Sequence, residues 1–332
     1  MPLLDGADPA ALDAAARHLA GGQLLAFATE TVYGLGARAD GDAAVAAIFA
    51  AKGRPADHPL IVHVADRAQA DAFMAWPGGA APAAFDRLVS AFWPGPVTVI
   101  VPRAAGIGTA AAGGQASIGL RCPAHPVAQA LLRATARLGV PGVAAPSANR
   151  FGRVSPTCAA HVQQEFGPGQ WVLDGGDCAL GIESTIIDLS RGAAVLLRPG
   201  VLTRDQLQAA LGEPLHEADA QAPRAPGTLA AHYAPSARLR LWPAAALAAA
   251  LDAPATLPPG LAVYSRRSGP LPAGLRWVPM PDDPAAVAHQ LFAVLRQLDA
   301  DGAAEIWVEQ PPGHAAWEGV TDRLRRAATA TP

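Results

Sequence analysis

The sequence predicts an α/β protein with a large, twisted mixed sheet, flanking helices and a second, smaller α/β domain. Apolar runs of strand length alternate with alanine-rich helical segments, but several runs follow one another without a helix between them. That order favours a mixed sheet over a strictly parallel, doubly wound one. Prolines then interrupt residues 212–236, which show little periodicity and are predicted to be a linker. We therefore predict a first domain at 1–211 and a small domain at 237–332.

The elements of the first domain follow from its periodicity and from its glycine and proline signals. A helix at 9–20 ends at Gly21, and a helix at 42–51 ends at Gly53, where Pro55 stops it from continuing. Further helices are predicted at 67–75, 81–92, 126–138 and 204–211. Strands are predicted at 23–28, 60–64, 97–101, 117–121, 142–145, 171–173, 184–189 and 194–197.

The small domain repeats this alternation over a length that is usual for one domain. Its apolar runs are short and are separated by helical segments, which predicts a βαβ-like unit. Strands are predicted at 239–241, 261–264 and 305–308, and helices at 244–251, 284–298 and 320–328.

Composition narrows the classes of function. Hydrophobic residues make up 51% of the 332 residues and charged residues 16%, which excludes a disordered chain. The net charge of −3 gives no overall attraction to nucleic acid or to an anionic membrane, although a local basic cleft is compatible with it. Cys122, Cys158 and Cys178 form no CxxC pair, which favours a cytoplasmic protein without disulfides or structural zinc. The acidic N-terminus argues against a signal peptide, and the apolar runs are too short to span a bilayer.

The segment FAAKGRPADHPLIVH (49–63) holds the only lysine of the chain, Lys52, two residues before Arg54. Lysine supplies a compact charge and arginine a bidentate fork, so a turn that carries both suits a polyanion such as a nucleoside triphosphate. Cations are also favoured at the solvated C-terminus of a helix. This segment alone does not distinguish the two interpretations.

Hydroxyl groups and cations also follow the ends of other predicted strands. Each is a weak signal alone, but together they are typical of a ligand cleft in an α/β protein. Gly34 and Gly36 are expected to let the backbone approach a ligand closely. No GxxxxGK[ST], HExxH or GxSxG occurs, which excludes a P-loop, a helical zinc site and a serine-hydrolase elbow. The strand-end candidates are Thr31, Arg121, Ser147, Asn149, Ser184 and Arg198.

Seven motifs occur in register: ATETVYGLGA, AKGRPADHPLIVHV, FWPGPVT, IGLRCPAHP, AAPSAN, GIESTIIDL and LLRPG. Over residues 10–210 the chain resembles the YrdC-type L-threonylcarbamoyladenylate synthases. The remainder resembles the long form of that family, in which a linker ending in HYAP, here 232–235, leads to a small Rossmann-like domain. The resemblance implies a YrdC-like catalytic domain at 1–211 and a linker that crosses its active-site cleft.

The resemblance implies a nucleotidyltransferase that converts L-threonine, bicarbonate and ATP into threonylcarbamoyl-AMP and pyrophosphate for the t6A37 modification of tRNA. Mg²⁺ would accompany ATP without a dedicated protein site, and tRNA threonylcarbamoyl transferase proteins would use the product. Lys52 and Arg54 would face the phosphates as catalytic cations. The other implied ATP contacts are His58, Ser117, Ser147, Asn149, Ser155, Arg198 and Tyr233. The implied threonine contacts are Thr31, His63, Arg121, Ala145 and Ser184, with Arg121 taking the carboxylate.

One residue and one segment depart from the family pattern. Ala28 replaces a usual proline, and the uncharged Thr228–Ala231 replaces a linker segment that usually carries basic residues.

Two other functions stay open. One alternative is an RNA-binding module of the same fold, against which the absence of RNP-type aromatic motifs counts. The other is a carbamoyl-adenylate enzyme that acts on a different amine or on carbamoyl phosphate.

Overall fold

Two sheets organise the computed structural model, which describes residues 3–77, 82–253, 257–267, 272 and 274–330. The larger sheet is built from β1 (Leu3–Asp5), β2 (Leu25–Phe27), β3 (Gly34–Arg38), β4 (Ile61–His63), β5 (Val97–Pro102), β6 (Ser117–Arg121), β7 (Val143–Ala144), β8 (Trp171–Asp174), β9 (Thr185–Asp188), β10 (Val195–Arg198) and β11 (His216–Glu217). Their order is β1-β8-β2-β3-β7-β4-β6-β5-β9-β10-β11. Parallel pairs such as β4–β6 and antiparallel pairs such as β5–β6 occur together, so the sheet is mixed.

Helices flank this sheet, and their ends follow local capping chemistry. Asp8 accepts a hydrogen bond at the start of the first helix, which also begins with a proline. The second helix ends where Gly53 adopts φ 62°, a left-handed conformation that glycine takes without strain. These helices are α1 (Pro9–Ala20), α2 (Asp42–Lys52), α3 (Arg67–Asp71), α4 (Ala83–Phe92), α5 (Pro126–Arg137), α6 (Ala159–Phe166) and α7 (Arg204–Leu211).

The second sheet belongs to the C-terminal part of the chain and is entirely parallel among the described strands. Its strands are β12 (Arg238–Trp242), β13 (Leu261–Ser265), β14 (Arg276–Pro279) and β15 (Glu305–Glu309), in the order β12-β15-β13-β14. Its helices are α8 (Ala244–Leu251), α9 (Pro284–Ala300) and α10 (Glu318–Thr329), with a short 3₁₀ turn at Ala315–Trp317. A parallel sheet with crossover helices is the architecture that the βαβ-like pattern predicts.

One apolar cluster joins the two sheets. Val32, Val154 and Ile182 from the larger domain pack in the same cluster as Phe292 of α9 and Leu324 of α10. All five are buried. The two parts of the chain therefore share a core rather than touching only through the linker.

The predicted fold class is confirmed, while several elements differ from expectation. The helix expected at 67–75 ends at Asp71. The helix expected at 81–92 begins with residue 81, which lies outside the described residues. The stretch expected to be a glycine turn is strand β3. There a side chain at Gly36 would meet Phe27 and Val143, so that glycine serves packing within the sheet. Strands β1, β11 and β14 and helix α6 were not predicted, because each is short and weakly periodic.

The predicted linker is not irregular throughout. His216–Glu217 forms strand β11, which pairs in parallel with Val195 and Leu196 at the edge of the larger sheet. Within the described ranges, no helix is both long and apolar enough to cross a membrane.

Candidate functional site

A cavity opens where several strands of the larger sheet end, and the predicted linker covers it. His63 ends β4 and Arg121 ends β6, and these two residues face each other in the parallel register of the pair. Parallel strands bring their carboxyl ends to one edge, which explains why polar residues far apart in sequence meet here. The lining residues are Thr29, Thr31, Val32, Gly34, Arg54, Ile61, His63, Arg121, Ala145, Pro146, Ser147, Glu183, Ser184, Arg198, Pro226, Gly227, His232 and Tyr233.

Arg121 is held rigidly on one side of the cavity. Its Nη2 lies 2.6 Å from Glu30 Oε1, its Nη1 donates to Thr31 Oγ1 at 2.9 Å, and its Nε donates to the Gly95 carbonyl oxygen at 3.2 Å. Burial alone would raise the pKa of Glu30, but Arg121 and, after it, backbone hydrogen bonds together hold that pKa below its usual value. Glu30 is therefore ionised, and the guanidinium is fixed for a second anion.

His63 lies beside this arginine and is neutral. Burial, and after it the charge of Arg121, lower the pKa of His63 to about 3. Its ring meets the ring of Phe27 edge-on, with centroids 6.1 Å apart. A neutral imidazole next to Arg121 can exchange hydrogen bonds with a ligand without adding positive charge.

Lys52 lies next to the PSAN segment (146–149), but its position differs from the prediction. It is the last residue of α2 rather than part of the following turn, and only 2% of it is exposed. Its Nζ donates to the carbonyl oxygens of Ser147 and Asn149, and it does not line the cavity itself. Burial, and next Arg54, lower the pKa of Lys52 well below its usual value, so an anion bound nearby would stabilise the ammonium.

Arg54 and Arg198 also line the cavity. Arg54 donates to the Pro59 carbonyl oxygen at 2.8 Å, and its guanidinium lies 5.6 Å from the ring centroid of Phe151. Burial lowers the pKa of Arg54 to about 10, which leaves it charged at neutral pH. Arg198 donates to the Ser184 carbonyl oxygen at 2.9 and 3.1 Å.

The linker closes the cavity through direct contacts. Arg198 Nη1 donates to the Pro226 carbonyl oxygen at 3.0 Å. A side chain at Gly227, whose φ is 71°, would overlap the Tyr233 hydroxyl and Arg198 Nη1. Tyr233 has φ 63°, a strained conformation for a non-glycine residue and one that is typical of functional positions. Its buried hydroxyl has no hydrogen-bond partner among the described residues, which suits a ligand contact.

The predicted site residues fall into two groups. Nine line the cavity: Thr31, Arg54, His63, Arg121, Ala145, Ser147, Ser184, Arg198 and Tyr233. Lys52, His58, Ser117, Asn149 and Ser155 lie behind or beside it, and among them Ser117 lines a neighbouring depression with Thr98 and Gly119. His58 packs edge-on against Phe151, with centroids 5.4 Å apart.

The sequence-based site list omitted Glu183, His232 and Gly227, which also line the cavity. The signal for Glu183 was present, since it lies in the GIESTIIDL motif, and His232 lies in HYAP. Both side chains are buried, and burial lowers the pKa of His232 to about 3. Within the described part of the chain, no three His, Cys, Asp or Glu side chains form a group that could hold a metal ion.

Known proteins resemble this chain along most of its length. A family model described as "Telomere recombination" (Sua5_yciO_yrdC) matches residues 17–200, and one described as "Threonylcarbamoyl-AMP synthase, C-terminal domain" matches residues 202–329. The threonylcarbamoyl-AMP synthase of Pyrococcus abyssi is 42% identical over 68% of this chain and 66% of its own length. That of Bacillus subtilis is 41% identical over 70% of this chain and 67% of its own length.

A solved structure extends the likeness to both domains. The crystal structure of P. abyssi Sua5 complexed with L-threonine matches with a TM-score of 0.86 at 33% identity. The match covers 97% of this chain and 95% of that chain. Together with the two family models, it shows that the chain belongs to the threonylcarbamoyl-AMP synthase family in its two-domain form.

Proposed function

We propose that this chain synthesises L-threonylcarbamoyl-AMP from L-threonine, bicarbonate and ATP, with release of pyrophosphate. The observation that carries the proposal is the charge around one cavity. Arg54, Arg121 and Arg198 line it and are buried, and Lys52 is buried behind Ser147. Cations removed from water without enough anions to pair with them favour a polyanionic ligand.

Threonine would bind on the Arg121 side. The fork of Arg121, already oriented by Glu30 and Thr31, would take the carboxylate at two points. Ser184, whose Oγ lies 2.8 Å from Thr98 Oγ1, lines the cavity together with the neutral His63. Ser184 and His63 can therefore form hydrogen bonds with the hydroxyl or the amine of the substrate threonine. The complex of P. abyssi Sua5 with L-threonine supports threonine as a substrate of this chain.

ATP would bind on the Arg54 and Arg198 side, next to the PSAN segment. The cavity measures about 40 Å³, which holds a few water molecules but no nucleotide. The linker segment that contributes Pro226, Gly227 and Tyr233 would therefore move to admit ATP and close again over it, as a lid does. Because Thr228–Ala231 is uncharged, Tyr233 and Arg198 rather than a linker cation would contact the triphosphate.

The proposed chemistry needs positioning and charge neutralisation rather than a protein nucleophile. The threonine amine attacks bicarbonate, and loss of water leaves a carbamate. A carbamate oxygen then attacks the α-phosphorus, and the bond to pyrophosphate breaks. The arginines hold the two substrates in line and offset the negative charge that develops on the phosphates. Mg²⁺ would enter with ATP and neutralise part of that charge.

Pyrophosphate release from ATP tests the proposal when each substrate is omitted in turn. We expect the release of pyrophosphate to require both threonine and bicarbonate. The other product, threonylcarbamoyl-AMP, would supply tRNA threonylcarbamoyl transferase proteins in the cytoplasm, where ATP and tRNA occur. Release that continues without threonine would contradict the proposal. Dependence on carbamoyl phosphate would instead indicate a different carbamoyl-adenylate enzyme, and salt-sensitive RNA binding without ATP chemistry would indicate an RNA-binding module.

A further inference from the structure

Two side chains of the small domain reach the cavity wall: Phe292 of α9, whose ring stacks on that of Tyr233 with centroids 5.5 Å apart, and Arg323 of α10. This arginine is fully buried, and its Nε donates to Glu183 Oε2 at 2.7 Å and its Nη2 to the Glu183 carbonyl oxygen at 3.2 Å. Its Nη1 donates to the Pro199 carbonyl oxygen at 2.9 Å and to Asp322 Oδ2 at 2.7 Å. The guanidinium also lies 5.3 Å from the ring centroid of Tyr233. Arg323 therefore connects two cavity-lining residues, Glu183 and Tyr233, without lining the cavity itself.

Glu183 is a buried carboxylate in the cavity wall. It lines the cavity, and Ser155 Oγ donates to its other oxygen, Oε1. Burial alone would raise the pKa of Glu183, but Arg323, then Arg198 and the hydrogen bond from Ser155 together hold that pKa below its usual value. Glu183 is thus an anion that faces the proposed triphosphate position. Without Arg323, its charge would repel the phosphates of ATP across a poorly solvated cavity.

The same helix also holds the linker. Arg326 Nη1 donates to the Leu229 carbonyl oxygen, and the backbone N–H of His232 donates to the Arg326 carbonyl oxygen at 3.2 Å. At the other end of α10, Gly319 approaches Gly200 so closely that a side chain there would overlap the Gly200 backbone. Helix α10 is therefore fixed against the first domain at one end and against the linker near the other, which holds Arg323 close to Glu183.

We propose that Arg323 is a positioning residue for ATP binding, an inference that rests on the proposed function. It neutralises and orients Glu183 so that a triphosphate can lie beside Arg198, and it supports the ring of Tyr233 in the cavity wall. The small domain thereby completes the nucleotide half of a site whose lining residues all come from the first domain and the linker.

Calorimetric titration of the full-length protein with α,β-methylene-ATP, which cannot release pyrophosphate, tests this role. Arg323→Met should raise the Kd by about tenfold or more, because it leaves Glu183 unpaired. In a Glu183→Gln background, the same substitution should change the Kd by less than about threefold, because the charge it neutralises is gone. Arg267→Met is the matched control, since Arg267 pairs with Asp252 inside the small domain.

A merely structural role would give a different result. It would lower the Tm and the number of binding-competent molecules but leave the Kd unchanged, which would overturn the proposal, as would equal effects of Arg323→Met in both backgrounds. If Arg323→Met does not fold, Arg323→Gln removes the charge but keeps an amide that can donate to Glu183. A raised Kd in that variant would then support the role, and an unchanged Kd would overturn it.

The same titration separates this inference from the proposed function. A wild-type protein that does not bind the analogue would overturn both. A wild-type protein that binds the analogue and releases pyrophosphate with threonine, while the two substitutions act independently, would overturn only the role of Arg323.

Discussion

At the scale of single residues, the site is a set of buried charges whose partners are already in place. Arg121 is paired with Glu30, Lys52 with two backbone carbonyl groups, and Arg198 with the backbone of Ser184. A charge that is held in one geometry before the ligand arrives needs little reorganisation during the reaction. The same pairing means that substitutions here change stability as well as activity.

Arg121→Lys should raise the KM for threonine by at least about tenfold, while the KM for ATP changes by less than about twofold. Lysine keeps a positive charge beside Glu30 but lacks the fork that binds a carboxylate at two points. Pyrophosphate release at varied threonine and varied ATP measures both constants. Arg137→Lys, on the exposed side of α5, is the matched control. Equal increases in the two KM values would argue against the carboxylate role.

Lys52→Met should lower the rate of pyrophosphate release by about a hundredfold or more, because it removes an ammonium close to the proposed phosphates. It should also lower the free energy of unfolding by about 1–3 kcal/mol, since two carbonyl oxygens lose their donor. Denaturant unfolding measures the second effect. Arg150→Met, which removes an exposed cation nearby, is the control. Full activity of the Lys52 variant would refute its assignment.

His63 predicts a pH dependence of stability. Its pKa is about 3 in the folded protein against an ordinary value of 6.5, so between these values only the unfolded chain binds the proton. Stability therefore falls as the pH falls below 6.5, by up to about 1.4 kcal/mol per pH unit for this residue. In His63→Gln, the free energy of unfolding should depend less steeply on pH between about pH 6 and pH 5. If the dependence of the unfolding free energy on pH is unchanged, His63 binds the proton equally well in the folded and the unfolded protein. His289→Gln is the control for the loss of a histidine.

At the scale of elements, the linker and the strand ends determine which residues can meet. Strands β4 and β6 place His63 and Arg121 side by side, and the linker brings Gly227 and Tyr233 over them. Glycine is needed at position 227 because its neighbours leave no room for a side chain. Gly36 illustrates the opposite case, in which a glycine predicted to face a ligand instead serves strand packing.

Gly227→Ala should lower kcat/KM for ATP by at least about tenfold, because the new methyl group overlaps Tyr233 and Arg198 in the closed linker. Gly192→Ala is the control, since Gly192 also has positive φ, 88°, but has nothing within 4 Å of the added atom. It should cost about 1–2 kcal/mol of stability from backbone strain and leave kcat/KM unchanged. Similar kinetic losses in both variants would show that strain, not overlap, is responsible.

At the scale of the whole molecule, the two domains share one apolar cluster. Val32 and Ile182 of the first domain pack with Phe292 and Leu324 of the small domain, and Arg323 lies beside this cluster. Burial across a domain boundary couples the stabilities of the two parts.

We therefore expect the full-length protein to unfold in a single calorimetric transition. Ile182→Ala should weaken the shared cluster by about 2–5 kcal/mol and lower the transition temperature. Leu251→Ala, within the separate cluster of the small domain, is the control for a core deletion that does not cross the boundary. Two well-separated transitions in the wild type would show that the domains fold independently.

The sequence by itself determined the fold class, most helices and strands of the larger domain, and the family. These signals are local: apolar periodicity, glycine and proline at element ends, and seven motifs in fixed order. Nine of the predicted site residues line the cavity. Among them, His63 and Arg121 meet because they end two neighbouring parallel strands, β4 and β6.

Only the tertiary structure decided how those residues act together. It placed Lys52 on the PSAN backbone, moved Ser117 to a neighbouring depression and brought Arg323 to Glu183, 140 positions earlier in the chain. Such contacts depend on how the helices and sheets pack, and no local pattern encodes a distance between residues so far apart.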